Sequence, residues 1–179
     1  IISKCRTLKI PIISEIEFSS WFTSAPILAV TGSNGKTTTA SLLFNMVKNA
    51  GYNAMLGGNI GIPFSENVYK EIKLKYEKIV HVLELSSFQL EHIQHFKPNL
   101  SCILNISPDH LNRYETMDKY IKAKINIAKN LTAPAWLVYN GSDSTLSRYL
   151  RSIHRTKLFS LSADQQVHYY LKNTEIYSK

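Results

Sequence analysis

Short apolar runs alternate with longer amphipathic stretches along this chain, and that rhythm is the first guide to its fold. Ile27-Leu28-Ala29-Val30, Ile79–Leu85, Leu100–Ile106 and Trp136–Tyr139 are nearly continuous in apolar residues. Runs of this length mark strands buried on both faces, as in a parallel sheet. Between them the period lengthens. Leu42, Leu43, Met46, Val47 and Ala50 recur at helical spacing along Lys36–Ala50, and Gly51 is a ready stop. Helices are expected over Phe88–His95, Met117–Leu131 and Thr145–Leu150, with further strands at Tyr52–Leu56 and Lys157–Leu161. In Lys70–Lys78, Glu71 and Glu77 interleave with lysines as on a solvated helix face. Val167–Tyr177 reads as a β-hairpin turning near Lys172-Asn173. The alternation predicts an α/β fold: a mostly parallel sheet flanked by helices, with a β-hairpin region at the C-terminal end.

Residues 1–24 break the rhythm. Leu8–Ile13 reads as a short strand interrupted by Pro11, and Ser14 opens a short helix at Glu15–Phe18. The core is expected to begin near Ala25. The first residue is Ile rather than Met, as in a segment of a longer protein. No apolar run approaches the roughly 18 residues of a membrane span.

Composition narrows the classes. Hydrophobic content of 44% and charged content of 19% describe a folded globular chain. Cys5 and Cys102 have no metal-type spacing and fit a reducing, cytoplasmic setting. The net charge of +8 is spread along the chain rather than gathered in a stripe, so nucleic acid is not the expected partner. Positive potential also suits an anionic nucleotide.

The chemistry concentrates after the first core strand. Thr31-Gly32-Ser33-Asn34-Gly35-Lys36-Thr37-Thr38 joins that strand to a helix. Glycines let backbone N–H groups turn toward phosphate oxygens, and the helix presents its positive end to them. Lys36 would reach the terminal phosphates and Thr37 would offer a hydroxyl to Mg²⁺. The general P-loop pattern asks for glycine where this chain has Val30, so the loop is a shorter form. The plainer alternative is a glycine turn with a surface lysine. Gly57-Gly58-Asn59-Ile60-Gly61 suggests either unusual backbone conformations or close approach to a ligand.

Other candidates sit at strand exits, where open α/β sheets bind ligands. Glu84 ends a buried strand and should meet a cation, either Mg²⁺ or a salt-bridge partner. Asp109 and His110 follow another strand. His81 reads as a packed histidine, and His92 and His95 as a solvated pair on one helix face. Lys124 falls within the apolar stripe Met117, Tyr120, Ile121, Ile125, Ala128. It is either a lysine snorkelling to the rim or a desolvated amine of lowered pKa, able to form a carbamate with CO₂.

Together these motifs resemble the Mur ligases and their folylpolyglutamate synthetase relatives. The carriers are Thr31–Thr38, Gly57–Pro63, Glu84-Leu85-Ser86-Ser87-Phe88-Gln89-Leu90-Glu91, Asn105–Tyr114, Tyr120…Ala123-Lys124 and Ile12–Glu17. The resemblance implies an ATP-dependent, amide-forming enzyme of peptidoglycan synthesis in the bacterial cytoplasm. It would add D-glutamate to UDP-N-acetylmuramoyl-L-alanine through an acyl phosphate. Gly32, Ser33, Asn34, Gly35, Lys36, Thr37 and Thr38 would hold ATP. Lys36, His110 and Lys124 would be catalytic. Thr37 and Glu84 would ligate one Mg²⁺, and His110 and carbamylated Lys124 a second. Asn59, Ser86, Gln89 and His110 would line the substrate site.

The resemblance also implies a monomer, with residues 1–24 ending a uridine-binding domain and linker. Residues 25–179 would be an ATP-binding central domain that stops early, without the D-glutamate-binding domain, so the segment is expected to be inactive alone. Asn112 stands where many relatives carry aspartate and receives no role. Alternatives are a related ligase with another acceptor, or a P-loop nucleotide-binding module without ligase chemistry.

Overall fold

In the computed structural model each apolar run becomes a strand of one sheet. The structure describes residues 1–109 and 111–150, the Leu111 side chain excepted, and the backbone of 157–162, 169–172 and 175–178. The strands are β1 (Ile27–Thr31), β2 (Asn53–Gly58), β3 (Ile79–Glu84), β4 (Leu100–Ile103), β5 (Trp136–Asn140), β6 (Lys157–Ser162), β7 (Tyr169–Lys172) and β8 (Glu175–Ser178). Their order is β2-β3-β1-β4-β5-β6-β7-β8. Neighbours run parallel except β7 and β8, which pair antiparallel with Tyr170 opposite Tyr177. The mostly parallel sheet and the terminal hairpin are therefore as expected.

The connections are α1 (Ile2–Thr7), α2 (Glu15–Ser20), α3 (Lys36–Asn49), α4 (Phe64–Leu74), α5 (Ser87–Glu91), α6 (Leu111–Tyr114), α7 (Met117–Ile125) and α8 (Ser144–Leu150), with a 3₁₀ turn at Asn126–Ala128. Alternation along the strands divides the core. Ile27 and Ala29 of β1 and Leu83 of β3 join Ile16, Phe64, Leu90, Phe96, Ile127 and Leu146 on one face. Val30 and Val82 meet Ala40, Leu43, Phe44 and Val47 on the other. On α3 the inward face is therefore Ala40, Leu43, Phe44 and Val47, while Leu42 and Met46, counted with the apolar stripe from sequence, stand 60% exposed.

Several expectations are corrected. Leu8–Ile13 forms no strand; α1 ends at Thr7 and an irregular segment follows. Pro11 has no N–H to give a ladder. The helix expected over Phe88–His95 ends at Glu91, so His92 and His95 share no helix face. The cause lies in α2. The backbone N–H groups of Gln94, His95 and Phe96 all turn inward to donate to the Glu17 carboxylate, each at 2.8 Å. Trp21 Nε1 donates to the same group at 2.9 Å.

Glu17 and Ile16 are wholly buried, so the core takes in α2 and starts ahead of Ala25. The long helix expected to Leu131 gives way to the 3₁₀ turn at Asn126, whose side chain donates to the Leu90 carbonyl at 3.1 Å. Gly57 and Gly58, read from sequence as loop, belong to β2 and pair with Leu83 and Glu84. Gly58 has φ 98°, and a Cβ there would overlap the Glu84 carbonyl.

Candidate functional site

The three central strands deliver the candidate residues to one edge. β1 runs into the glycine loop, β3 ends at Glu84, and β4 leads to Asn105, Ser107 and Asp109. Because β3, β1 and β4 are neighbours, their carboxyl ends adjoin, which is where an open parallel sheet binds ligands.

The loop has the local geometry its composition predicts. Gly35 sits at the N-cap of α3 with φ 80° and ψ 0°, a left-handed conformation that costs other residues about 1–2 kcal/mol. This turn lets the 14-residue α3 start at Lys36 with its free N–H groups facing the loop. Lys36 Nζ donates to the carbonyls of Gly32 at 3.0 Å and Ser33 at 2.9 Å, so its charge lies over the loop. Asn34, Thr37 and Thr38 are exposed at the mouth.

Glu84 is 1% exposed. One oxygen accepts from Thr37 Oγ1 at 2.8 Å, and the other from Asn59 Nδ2 at 2.8 Å. Asn59 is itself placed by its backbone N–H, which donates to the Glu84 carbonyl at 2.7 Å. A buried carboxylate whose contacts are neutral donors is an expensive arrangement in isolation. It suits a cation at the adjoining mouth. The pair Thr37 hydroxyl and Glu84 carboxylate offers the hard oxygen donors Mg²⁺ takes when phosphates and water complete its shell. The donor chemistry therefore fits that metal.

Lys124 settles on the desolvated side of the two readings. It is 2% exposed, and Nζ donates to the Gly32 carbonyl at 2.8 Å and lies 4.9 Å from the Tyr120 ring centroid. Burial, and then repulsion from Lys36, push its pKa down to about 8, against the opposing pull of Asp109 and Glu84. Gly32 thus brings two lysines from different elements to one carbonyl.

Ser86 and Gln89 lie one turn beyond Glu84 and are engaged with each other. Ser86 Oγ accepts from the Gln89 N–H at 3.3 Å, while Gln89 Oε1 accepts from the Ser86 N–H at 3.0 Å and from its hydroxyl at 3.0 Å. This capping box opens α5. Asp109 is exposed, and His110 lies outside the described residues. His81 is packed as expected, wholly buried with Nε2 2.8 Å from Glu71 Oε2.

Residues without a sequence-based role hold the loop in place. Asn105 Oδ1 accepts from the Asn34 N–H at 2.9 Å, and Asn105 Nδ2 donates to the Asn34 carbonyl at 3.1 Å. Ser33 Oγ donates to the Ser107 carbonyl at 3.0 Å, accepts from the Ser107 N–H at 2.9 Å, and lies 3.0 Å from Tyr120 Oη. The available signal was Asn105 itself, a polar side chain at the end of an apolar run, where a strand must hand over to a loop.

A mostly parallel, open α/β sheet whose first core strand turns through a glycine loop into a helix, beside a buried carboxylate, defines an α/β domain of P-loop-like layout. The Mur ligase middle domain model matches residues 30–179, and the chain belongs to the Mur ligase family. It is 38% identical over 179 residues to the UDP-N-acetylmuramoylalanine–D-glutamate ligase of Christiangramia forsetii, covering 98% of this chain and 39% of that protein. Against the enzyme of the same name from Chloroherpeton thalassium, identity is 41% over 177 residues, covering 93% and 37%. The chain thus spans about two fifths of the length of these relatives. Among solved structures, MurF ligase from Thermotoga maritima in complex with ADP superposes with a TM-score of 0.66 at 23% identity, over 88% of this chain and 37% of that one. A Neisseria murein peptide ligase (UDP-N-acetylmuramate:L-alanyl-gamma-D-glutamyl-meso-diaminopimelate ligase) gives 0.67 at 18% identity, over 99% and 60%. These likenesses bear on the fold.

Proposed function

We propose that this chain is the nucleotide-using part of a ligase that adds D-glutamate to UDP-N-acetylmuramoyl-L-alanine. The observation that carries the reading is Glu84, buried at the end of β3 and bonded to Thr37 at the mouth of the Gly35 loop. Relatives of that name at 38% and 41% identity support D-glutamate as the acceptor. The loop Gly32–Thr38 binds the ATP phosphates through backbone N–H groups, and Lys36 swings from the loop carbonyls to neutralise them. Thr37 and Glu84 hold one Mg²⁺; Lys124, with His110, serves a second. Bound there, the ions screen the negative charge of two anions that must approach each other.

The muramoyl-alanine carboxylate attacks the γ-phosphorus of ATP, ADP leaves, and an acyl phosphate forms. The D-glutamate amine then displaces phosphate, losing a proton as the amide forms. Asn59, Ser86 and Gln89 would line the substrate site; Ser86 Oγ and Gln89 Oε1 are engaged in the capping box, so contacts through those atoms must share or open it. The amine of Lys124, neutral in appreciable fraction near pH 8, adds to CO₂ with loss of a proton to give a carbamate. The reaction runs in the cytoplasm in a monomer whose uridine and D-glutamate sites lie in domains beyond the central one. Supplying the complete protein with a panel of amino acids tests the acceptor. D-glutamate alone should support phosphate release; preference for another acceptor would overturn the assignment.

A further inference from the structure

Asp143 follows β5 and belongs to none of the sets above. Its Oδ1 accepts the N–H groups of Thr145 at 2.9 Å and Leu146 at 3.0 Å, capping α8. Its Oδ2 reaches away from that helix and accepts the N–H of Ile106 at 3.0 Å. Ile106 lies between Asn105 and Ser107, the residues that hold Asn34 and Ser33 of the phosphate loop. A continuous path therefore runs from the β5–α8 corner through the segment after β4 to the loop.

We propose that Asp143 is a positioning residue for the nucleotide site, acting through the Ile106 N–H to set the height of Asn105 and Ser107 against the phosphate loop. The inference rests on reading Gly32–Thr38 as that site. Each link has a physical basis. The anchor is charge-assisted, hence stronger than a neutral hydrogen bond. The two bonds from the Asn105 carboxamide to the Asn34 backbone copy a strand pairing and fix both its N–H and its carbonyl. Phosphate binding by backbone N–H groups depends on their directions, so a small shift of the loop is costly. Ile106 also packs against two core clusters, which makes the segment a stiff support.

Asp143→Ser separates positioning from capping. A serine oxygen can still cap α8, since Ser and Asp are comparable N-caps, but it has no second oxygen for Ile106. In the complete protein, ATP affinity by titration calorimetry should weaken roughly tenfold. The melting temperature should fall by only about 2–4 °C for the one Ile106 N–H left without its acceptor, and KM for D-glutamate should not move. Asn105→Ala breaks the next link and should weaken ATP binding by a similar factor. Because the two share the Asn105 branch, the double variant should lose less ATP affinity than the two single losses combined. Unchanged ATP affinity in Asp143→Ser overturns the inference, as does full additivity in the double variant. ATP affinity is read without ligation, so failure of the wild-type protein to use D-glutamate would overturn the proposed reaction instead.

Discussion

At the scale of single residues the site is a matter of where charge is buried. Glu84 and Lys124 are both inside the fold, yet neither is the other's hydrogen-bond partner; each is held by neutral groups. That arrangement keeps a carboxylate and an amine at the edge of the Gly32–Thr38 loop. Replacing Glu84 with Ala should reduce ATP turnover by the complete protein at least a hundredfold, and Lys36→Ala should do likewise, read as phosphate release. Lys124 adds a pH test. With its pKa down to about 8, the fraction able to take up CO₂ rises as pH climbs through that value. Under ¹³C-bicarbonate, a carbamate ¹³C signal should grow between about pH 7 and 8.5 and be missing in Lys124→Ala; its presence there would assign it elsewhere. The Lys124 position was legible because one cation interrupts an apolar stripe. That its amine reaches Gly32 was not, since no local pattern fixes a contact across 92 positions.

At the scale of elements, one acidic side chain explains why a helix stops. Three consecutive inward N–H groups at 94–96 satisfy Glu17, so α5 cannot continue through them. Glu17→Ala would strand those donors and should destabilise the protein by about 3 kcal/mol or more in chemical denaturation. Burial alone would raise the Glu17 pKa, but the hydrogen bonds from Gln94, Trp21, Phe96 and His95 outweigh it and hold the group below its ordinary 4.5. A depressed carboxyl supplies stability that is full above the unfolded value and is lost as pH falls through the folded one. Glu17→Gln should therefore flatten the fall in stability below about pH 4.5; an unchanged acid limb would contradict this role.

Gly58 makes a similar point for β2. Gly58→Ala must strain a φ of 98° and push on the Glu84 carbonyl, so loss of stability and of ATP affinity should appear together. β1 and β3 were readable because burial on both faces leaves a continuous apolar run. The end of α5 and the start of the core at α2 were not, because both depend on a carboxylate finding N–H groups 77 to 79 positions away.

At the scale of the whole molecule, strand order does what sequence order cannot. β1, β3 and β4 are separated along the chain yet adjacent in the sheet, and their exits bring together Lys36, Thr37, Glu84 and the Asn105–Ser107 segment. Alternating strands and helices predicted a parallel sheet, and right-handed crossovers leave few ways to build one. The candidate residues could thus be gathered at one edge from sequence, while the bonds among them could not. The chain belongs to the Mur ligase family, and proteins named D-glutamate ligases are among its relatives.

The most direct test is coupled turnover by the complete protein given ATP, UDP-N-acetylmuramoyl-L-alanine and D-glutamate, with phosphate and amide product counted together. One phosphate should be released per amide formed, with dependence on all three substrates and loss of both products in Glu84→Ala. Amide formation at an undiminished rate in that variant would contradict the proposed reaction.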